Sequence, residues 1–200
     1  MNIAISGLTA CGKSHYGKRL AALLGYDYIC AGQMLLDMLG IPTAAIRDPW
    51  FTHFDEIAAL RDSTNADFEL DRIMADLARA KDSVVFDSWL LPWIADRPLC
   101  KVWIGCSDES RARKTQLSYS GYPPISLEQS HALISRKDTD ARRRFAGLYD
   151  IEFQPTSAKF DVVLDNTSYY DDSNDRRSDQ LSKEFTELLL AAISRSPSSR

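Results

Sequence analysis

The sequence predicts an α/β fold built from parallel βαβ units, and three observations carry that prediction. Five short runs rich in β-branched and apolar residues recur along the chain, amphipathic segments of helical period separate them, and a glycine-rich turn joins the first run directly to the first helix. At 200 residues, 44% hydrophobic and 26% charged, the chain can bury one substantial core. One domain is expected over 1–195, with a disordered tail at 196–200.

Taken in order, Asn2–Ser6 (NIAIS) is the first strand candidate. The helix that follows places Tyr16, Leu20, Leu23 and Leu24 on one face and stops at Gly25. Tyr26–Cys30 is the second strand. From Ile41 to Asp62 two prolines and several aromatics break the pattern, which predicts an irregular cap with one short helix. Thr64–Ala80 resumes a helical period with Phe68, Ile73 and Leu77 inward and Thr64 or Asn65 as the N-cap. The cap as a whole spans about residues 36–80. Ser83–Asp87 and Cys100–Gly105 are the third and fourth strands. Ser118–Asp150 opens on the turn-forming SYSGYPP and becomes an arginine-dense helix, a lid over about residues 118–146. Phe160–Asn166 is the fifth strand, and a last helix near Asp179–Ser194 turns Leu181, Phe185, Leu188, Leu189 and Ala192 inward.

Composition excludes several classes of function. A net charge of -4 offers no basic field for a nucleic-acid polymer. Cys11, Cys30, Cys100 and Cys106 have no C-x-x-C spacing, so they read as thiols in a reducing compartment rather than a zinc site or disulfide framework. No run of about 18 apolar residues and no export signal stand in the sequence, and a cytoplasmic location away from membranes is expected.

The chemistry concentrates in GLTACGKS. Gly7, Gly12, Lys13 and Ser14 fit G-x-x-x-x-G-K-[ST], with a strand running into Gly7 and a helix starting at Lys13 or Ser14. In such a loop the backbone N–H groups from Gly7 through Thr9, Ala10, Cys11 and Gly12 converge on phosphate oxygens, and the helix N-terminus adds positive potential. Lys13 is then placed for the β- and γ-phosphates and Ser14 for Mg²⁺. With no N-K-x-D and no D-x-x-G after the third strand, a small phosphotransferase remains.

IAISGLTACGKS, YICAGQML, VVFDSWLLPW, RRRFAGLYDIEF and FDVVLDNTSYYDD, in this order and spacing, resemble the nucleoside monophosphate kinases, specifically their cytidylate-kinase-like branch, over most of the chain. The resemblance implies a P-loop kinase fold with a five-stranded parallel sheet flanked by helices, a cap and an arginine lid. It implies transfer of the γ-phosphoryl of ATP, with Mg²⁺, to CMP or dCMP. Carried onto this sequence, Lys13 and Ser14 hold triphosphate and metal, Asp87 sits by the phosphates, and Arg136, Arg143 and Arg144 are the lid residues that neutralise the phosphoryl in flight.

Two positions depart from that pattern. Leu36 stands where the family carries an arginine on the acceptor's monophosphate, in the helix after Gly32. Ser88 and Trp89 stand where it carries glycine and arginine. Either Arg47, Arg61 or Arg72 replaces the clamp, or the acceptor differs from the usual monophosphate. Asp87 positions metal or water, acts as a general base for a hydroxyl acceptor, or is structural. Trp89 and Trp93 stack on substrate or belong to the core. Lone His53 is either catalytic or, as a histidine beside aromatics more often is, a packed or solvated cap residue, and Arg142, Arg143 and Arg144 cannot all face one way on a helix.

The expected activity is therefore phosphoryl transfer to a small nucleotide through an altered acceptor pocket, by a monomer or homodimer. The alternatives are a kinase for a hydroxyl of a nucleoside or metabolite, and a nucleotide-binding regulator without turnover.

Overall fold

Both faces of a central parallel strand must be covered by helices, and the inner strands of this protein show why they read as unbroken apolar runs. Every residue of β1 (Ile3–Ser6) and β3 (Val84–Asp87) is buried. The structure is a computed structural model that describes residues 1–42, 48–119, 123–155, 159–170 and 175–197. With β2 (Asp27–Cys30), β4 (Cys100–Gly105) and β5 (Val162–Asp165), these strands form one all-parallel sheet in the order β2-β3-β1-β4-β5. All five predicted strands are present, β4 with the predicted bounds and the others trimmed by a residue or two at one or both ends.

The two-residue period of a strand divides the core. Ile3 and Ile5 point to one face, where α1 (Lys13–Leu24) supplies Tyr16 and Leu20 and α9 (Asp175–Arg195) supplies Phe185, Leu189 and Ile193. Ala4, Val84 and Phe86 point to the other, against Leu35 of α2 (Ala31–Met38) and Leu70, Met74 and Ala78 of α5 (Ala66–Ala80). Between α2 and α5 run α3 (Pro49–Thr52) and α4 (Phe54–Ser63), so the cap holds two helices where one is predicted. After β3 comes α6 (Leu91–Ile94), and after β4 comes α7 (Asp108–Ser118). The lid helix α8 (Leu127–Tyr149) starts in a reciprocal capping box, Ser126 accepting from the Gln129 amide while the Gln129 side chain accepts from Ser126 N–H.

Several faces differ from the sequence reading. The buried stripe of α5 is Ala66, Leu70, Met74 and Ala78, an i, i+4 series, whereas Phe68 is 56% exposed and Ile73 and Leu77 are half-buried. In α9, Leu188 faces outward at 40% exposure because the inward row runs through Phe185, Leu189 and Ile193. The tail does not fray at 196: Ser196 is buried, with its hydroxyl 3.5 Å from Cys100 Sγ, while residues 198–200 lie outside the described residues. No described helix is long and apolar enough to cross a membrane.

Candidate active site

The turn between β1 and α1 is built from two backbone conformations that a side chain would obstruct. Gly7 has φ +145°, and a Cβ there would lie 2.4 Å from the Ile104 carbonyl oxygen. Gly12 has φ +93°, and a Cβ there would meet the Tyr16 ring at 2.8 Å. The loop is then fastened from three sides. Asp138 of α8 accepts from Thr9 N–H at 2.9 Å, and buried Arg111 of α7 donates to Asp138 at 2.7 Å and to the Thr9 carbonyl at 2.9 Å. Asn166, just after β5, donates to the Cys11 carbonyl at 2.6 Å, and Lys114 donates to Asn166 at 3.1 Å. Cys11 is buried, which pushes its thiol pKa up and keeps it an apolar filler of the loop.

Lys13 and Ser14 open α1, with their side chains toward the end of β3. Lys13 donates from Nζ to the Leu8 carbonyl at 2.7 Å and lies 5.4 Å from the Trp89 ring centroid. Ser14 Oγ donates to Asp87 Oδ2 at 2.5 Å, and the Tyr28 hydroxyl donates to the same oxygen at 2.9 Å. Parallel pairing brings these groups together, since Asp87 is in register with Ile5 on β1 and Cys30 on β2. Burial first, and the Asp87 charge second, push the Tyr28 phenol well up, so it stays a donor.

Two cavities meet at this point. One of about 660 Å³ lies along α1 and α9 and is walled by His15, Lys114, Asn166, Tyr169 and Tyr170. The other, of about 1180 Å³, extends under the cap past Asp87, Trp89, Leu36 and Trp50. Ala10, Lys13, Ser14 and Ser118 border both. Gly32 and Leu36 of α2 and Trp89 line the second cavity.

Other predicted site residues lie elsewhere. Arg72 is outside both cavities, its side chain 62% exposed and paired with Asp76 one helical turn on. Arg47 lies outside the described residues. Trp93 borders neither cavity and packs among Trp103, Phe153 and Phe160, while Trp89 stacks on Phe153 at 5.5 Å between centroids. His53 is likewise in neither cavity and bonds Thr52 at 2.8 Å.

The lid arginines also face away from the phosphate loop. Arg136 pairs with Asp55 and lies 4.4 Å from the Phe54 ring centroid, and Arg143 pairs with Asp140 at 2.9 Å and Asp62 at 3.5 Å. Buried Arg144 joins Asp140 at 2.8 Å, Asp62 at 2.9 Å and Asp67 at 3.4 Å. Helical period explains the correction. Arg136, Asp140, Arg143 and Arg144 share the α8 face that meets α4 and α5, and the row that borders the cavity is Lys137 and Phe145. Lys137 was hidden in the sequence by the arginines around it, and its signal is the i, i+4, i+8 series Lys137, Ala141, Phe145 that ends in buried residues. Arg61, weighed as a substitute clamp, does border the cavity, with Nε on Asp67 at 2.8 Å and Nη1 on Asp140 at 3.2 Å.

Cytidylate kinase of Pyrobaculum aerophilum is 30% identical over 169 residues, covering 82% of this chain and 83% of that one. Cytidylate kinase of Halorubrum lacusprofundi is 28% identical over 153 residues, covering 76% and 74%. No family model matches. Shikimate kinase from Bacteroides thetaiotaomicron superimposes with a TM-score of 0.51 over 95% of this chain and 98% of that one, and an uncharacterized protein from Eubacterium ventriosum with 0.61 over 97% and 98%, each at 12% identity. At that identity the structural likeness speaks for the fold alone. It agrees with a parallel sheet whose first strand runs into a phosphate-binding loop. Fold, loop and sequence relatives together place the chain in the cytidylate kinase family of P-loop kinases.

Proposed function

We propose that this kinase transfers the γ-phosphoryl group of ATP, with Mg²⁺, to a pyrimidine nucleoside monophosphate of the CMP or dCMP kind, through an acceptor pocket altered at Leu36 and Trp89. The observation that carries the proposal is the pair of cavities meeting at Lys13 and Ser14, one site for each substrate with the phosphate loop between them.

The residues present fit the groups this chemistry needs. Lys13 holds its ammonium on the Leu8 carbonyl and the Cys11 sulfur rather than on a carboxylate, so an incoming phosphate competes with neutral acceptors. Ser14 and Asp87 supply two neighbouring oxygens of the kind Mg²⁺ takes alongside phosphate oxygens. Among the described residues no cluster of three or more His, Cys, Asp or Glu side chains forms a metal cage, as suits a site where phosphates share the ion. Thr9 and Thr115 border the second cavity, and among the described residues their buried hydroxyls have no hydrogen-bond partner.

Held at Ser14 and Asp87, Mg²⁺ would neutralise phosphate charge and orient the transferring group. Lys13 would steady the same negative charge, while Asp87 accepts from Ser14 and from Tyr28, which fixes the carboxylate beside the Ser14 hydroxyl. Trp89 and Phe145 exclude water from the acceptor side.

A second reading, phosphorylation of a hydroxyl, is favoured by one observation: apolar Leu36 and Trp89 line the acceptor cavity together with Asp87, a carboxylate able to take a proton. ADP release with CMP, dCMP, cytidine and deoxycytidine separates the two. A k_cat/K_M near 10⁵ M⁻¹s⁻¹ for CMP or dCMP supports the first reading. Turnover restricted to the unphosphorylated nucleosides supports the second.

A further inference from the structure

We propose that Lys137 is the cation that holds the anionic group of the acceptor, and that this site consequently takes a phosphate-bearing acceptor although Leu36 and Trp89 replace the arginines expected there. The inference rests on the kinase reading above and names the substrate class of that site.

Cations near the cavity are almost all committed. Arg61 is paired with Asp67 and Asp140, Arg111 with Asp138 and Asp108, and Arg136, Arg143 and Arg144 with the acids of the cap and of α8. Lys18 lies exposed at the rim over the Tyr28 ring. Lys137 borders the cavity, yet among the described residues its ammonium has neither a hydrogen bond nor an ion pair. It is enclosed by rings, 4.2 Å from the Trp50 centroid, 5.7 Å from Trp89 and 5.9 Å from Phe51. Aromatic faces offset part of the desolvation of a cation but accept none of its three N–H bonds in the way an oxygen does. An ammonium so placed is short of an anion.

Its location says which anion. Trp50 and Phe51 belong to α3 of the cap, on the acceptor side, so the amine sits within that cavity rather than the one along α9. The Trp89 ring is 5.4 Å from Lys13 Nζ and 5.7 Å from Lys137 Nζ, so one indole touches both ammonium groups. A phosphate on Lys137 is therefore beside the loop that presents the phosphoryl at Lys13. A bare nucleoside would leave this cation unmet.

The charged groups facing Lys137 are Lys13 at the start of α1, Arg61 of α4, Asp138 of α8 itself and Asp87 of β3. Burial and the repulsion of Lys13 and Arg61 outweigh the two acids and bring its pKa down to about 7. An arriving phosphate dianion stabilises the protonated form, so binding takes up protons above neutrality.

The test uses the full chain with Lys137→Met, which keeps the stem and removes the charge, and Lys137→Arg, which restores it. Lys137→Met is expected to raise K_M for CMP or dCMP on the order of 10- to 100-fold, with k_cat within a few-fold and Lys137→Arg recovering part of the loss. Calorimetry of CMP binding in two buffers of different ionisation enthalpy is expected to show proton uptake at pH 7.5 in wild type and none in Lys137→Met. Unchanged K_M, a loss confined to k_cat, or equal use of cytidine and CMP by wild type overturns the proposal. If wild type releases no ADP with any acceptor, the kinase reading fails separately. The binding arm then still decides, because absence of CMP binding, or binding without proton uptake, overturns the role of Lys137.

Discussion

Arg61 on α4 and Asp140 on α8 meet at 3.2 Å, with side chains only 10% and 12% exposed, and this contact joins the cap to the lid helix. Asp140 also accepts from Arg143 and Arg144. Burial alone would raise its pKa, and the hydrogen bonds from those arginines hold it below the usual carboxylate range. Asp140→Ala leaves three guanidiniums short of a partner, Arg144 buried and Arg61 half-buried among them, and is expected to cost about 3 kcal/mol of stability by denaturant unfolding. The sign with pH follows: the stabilisation from a depressed carboxyl is present above its unfolded pKa and is lost as pH falls through the folded value. The mutant should therefore lose less stability than wild type on acidification.

Arg136 and Arg143 reach the same interface from the solvent side, with side chains 50% and 61% exposed. Exposed pairs of this kind contribute within about 1 kcal/mol, so Arg136→Ala and Arg143→Ala are expected to leave stability nearly unchanged. Because neither borders a cavity, k_cat should stay within about threefold of wild type. Steady-state kinetics checks this, and a k_cat loss on the order of 10² would mean that α8 turns these residues onto the phosphates during turnover.

Lys13→Ala is expected to reduce k_cat on the order of 10³-fold or more, while the thermal midpoint moves little. The structure shows why the two readouts separate: the Lys13 ammonium bonds only within the loop, to the Leu8 carbonyl and the Cys11 sulfur, and the loop stays fastened by Asp138, Arg111 and Asn166. A variant with near wild-type turnover would remove the phosphate assignment of the loop.

The phosphate loop and all five strands were legible because their signals are local: a fixed spacing of Gly7, Gly12, Lys13 and Ser14, and apolar runs bounded by turns. The ties that fasten the loop were not. Asp138 reaches Thr9 across 129 positions and Asn166 reaches Cys11 across 155, and no periodicity encodes such pairings. Charge identity misled for a related reason. An arginine-dense helix reads as a phosphate clamp, but which arginine faces which neighbour depends on the helix's rotation, and here Asp55, Asp62 and Asp67 on α4 and α5 capture that face. Leu36 and Trp89 were singled out from the sequence as departures and both line the second cavity, whereas the sequence reading did not single out Lys137.

Asp71 of α5 borders the acceptor cavity and accepts from the Tyr149 hydroxyl at 2.9 Å. Burial is the main cause that raises its pKa to about 7, with the nearby Asp67 charge adding to it and the Tyr149 bond and Arg61 opposing. In the unfolded chain the carboxyl titrates near 4, so between about pH 4 and pH 7 the folded protein binds more protons than the unfolded one. Stability contributed by this group is full below the unfolded value, declines as pH rises through that window, and is flat above it. Asp71→Asn keeps an oxygen for Tyr149 and has no charge to bury. The thermal midpoint of wild type should therefore fall relative to the mutant from pH 5 to pH 8, by several degrees for a chain of this size. A constant difference across that range would mean that Asp71 is ionised in the folded protein, its charge met by Arg61 and Tyr149.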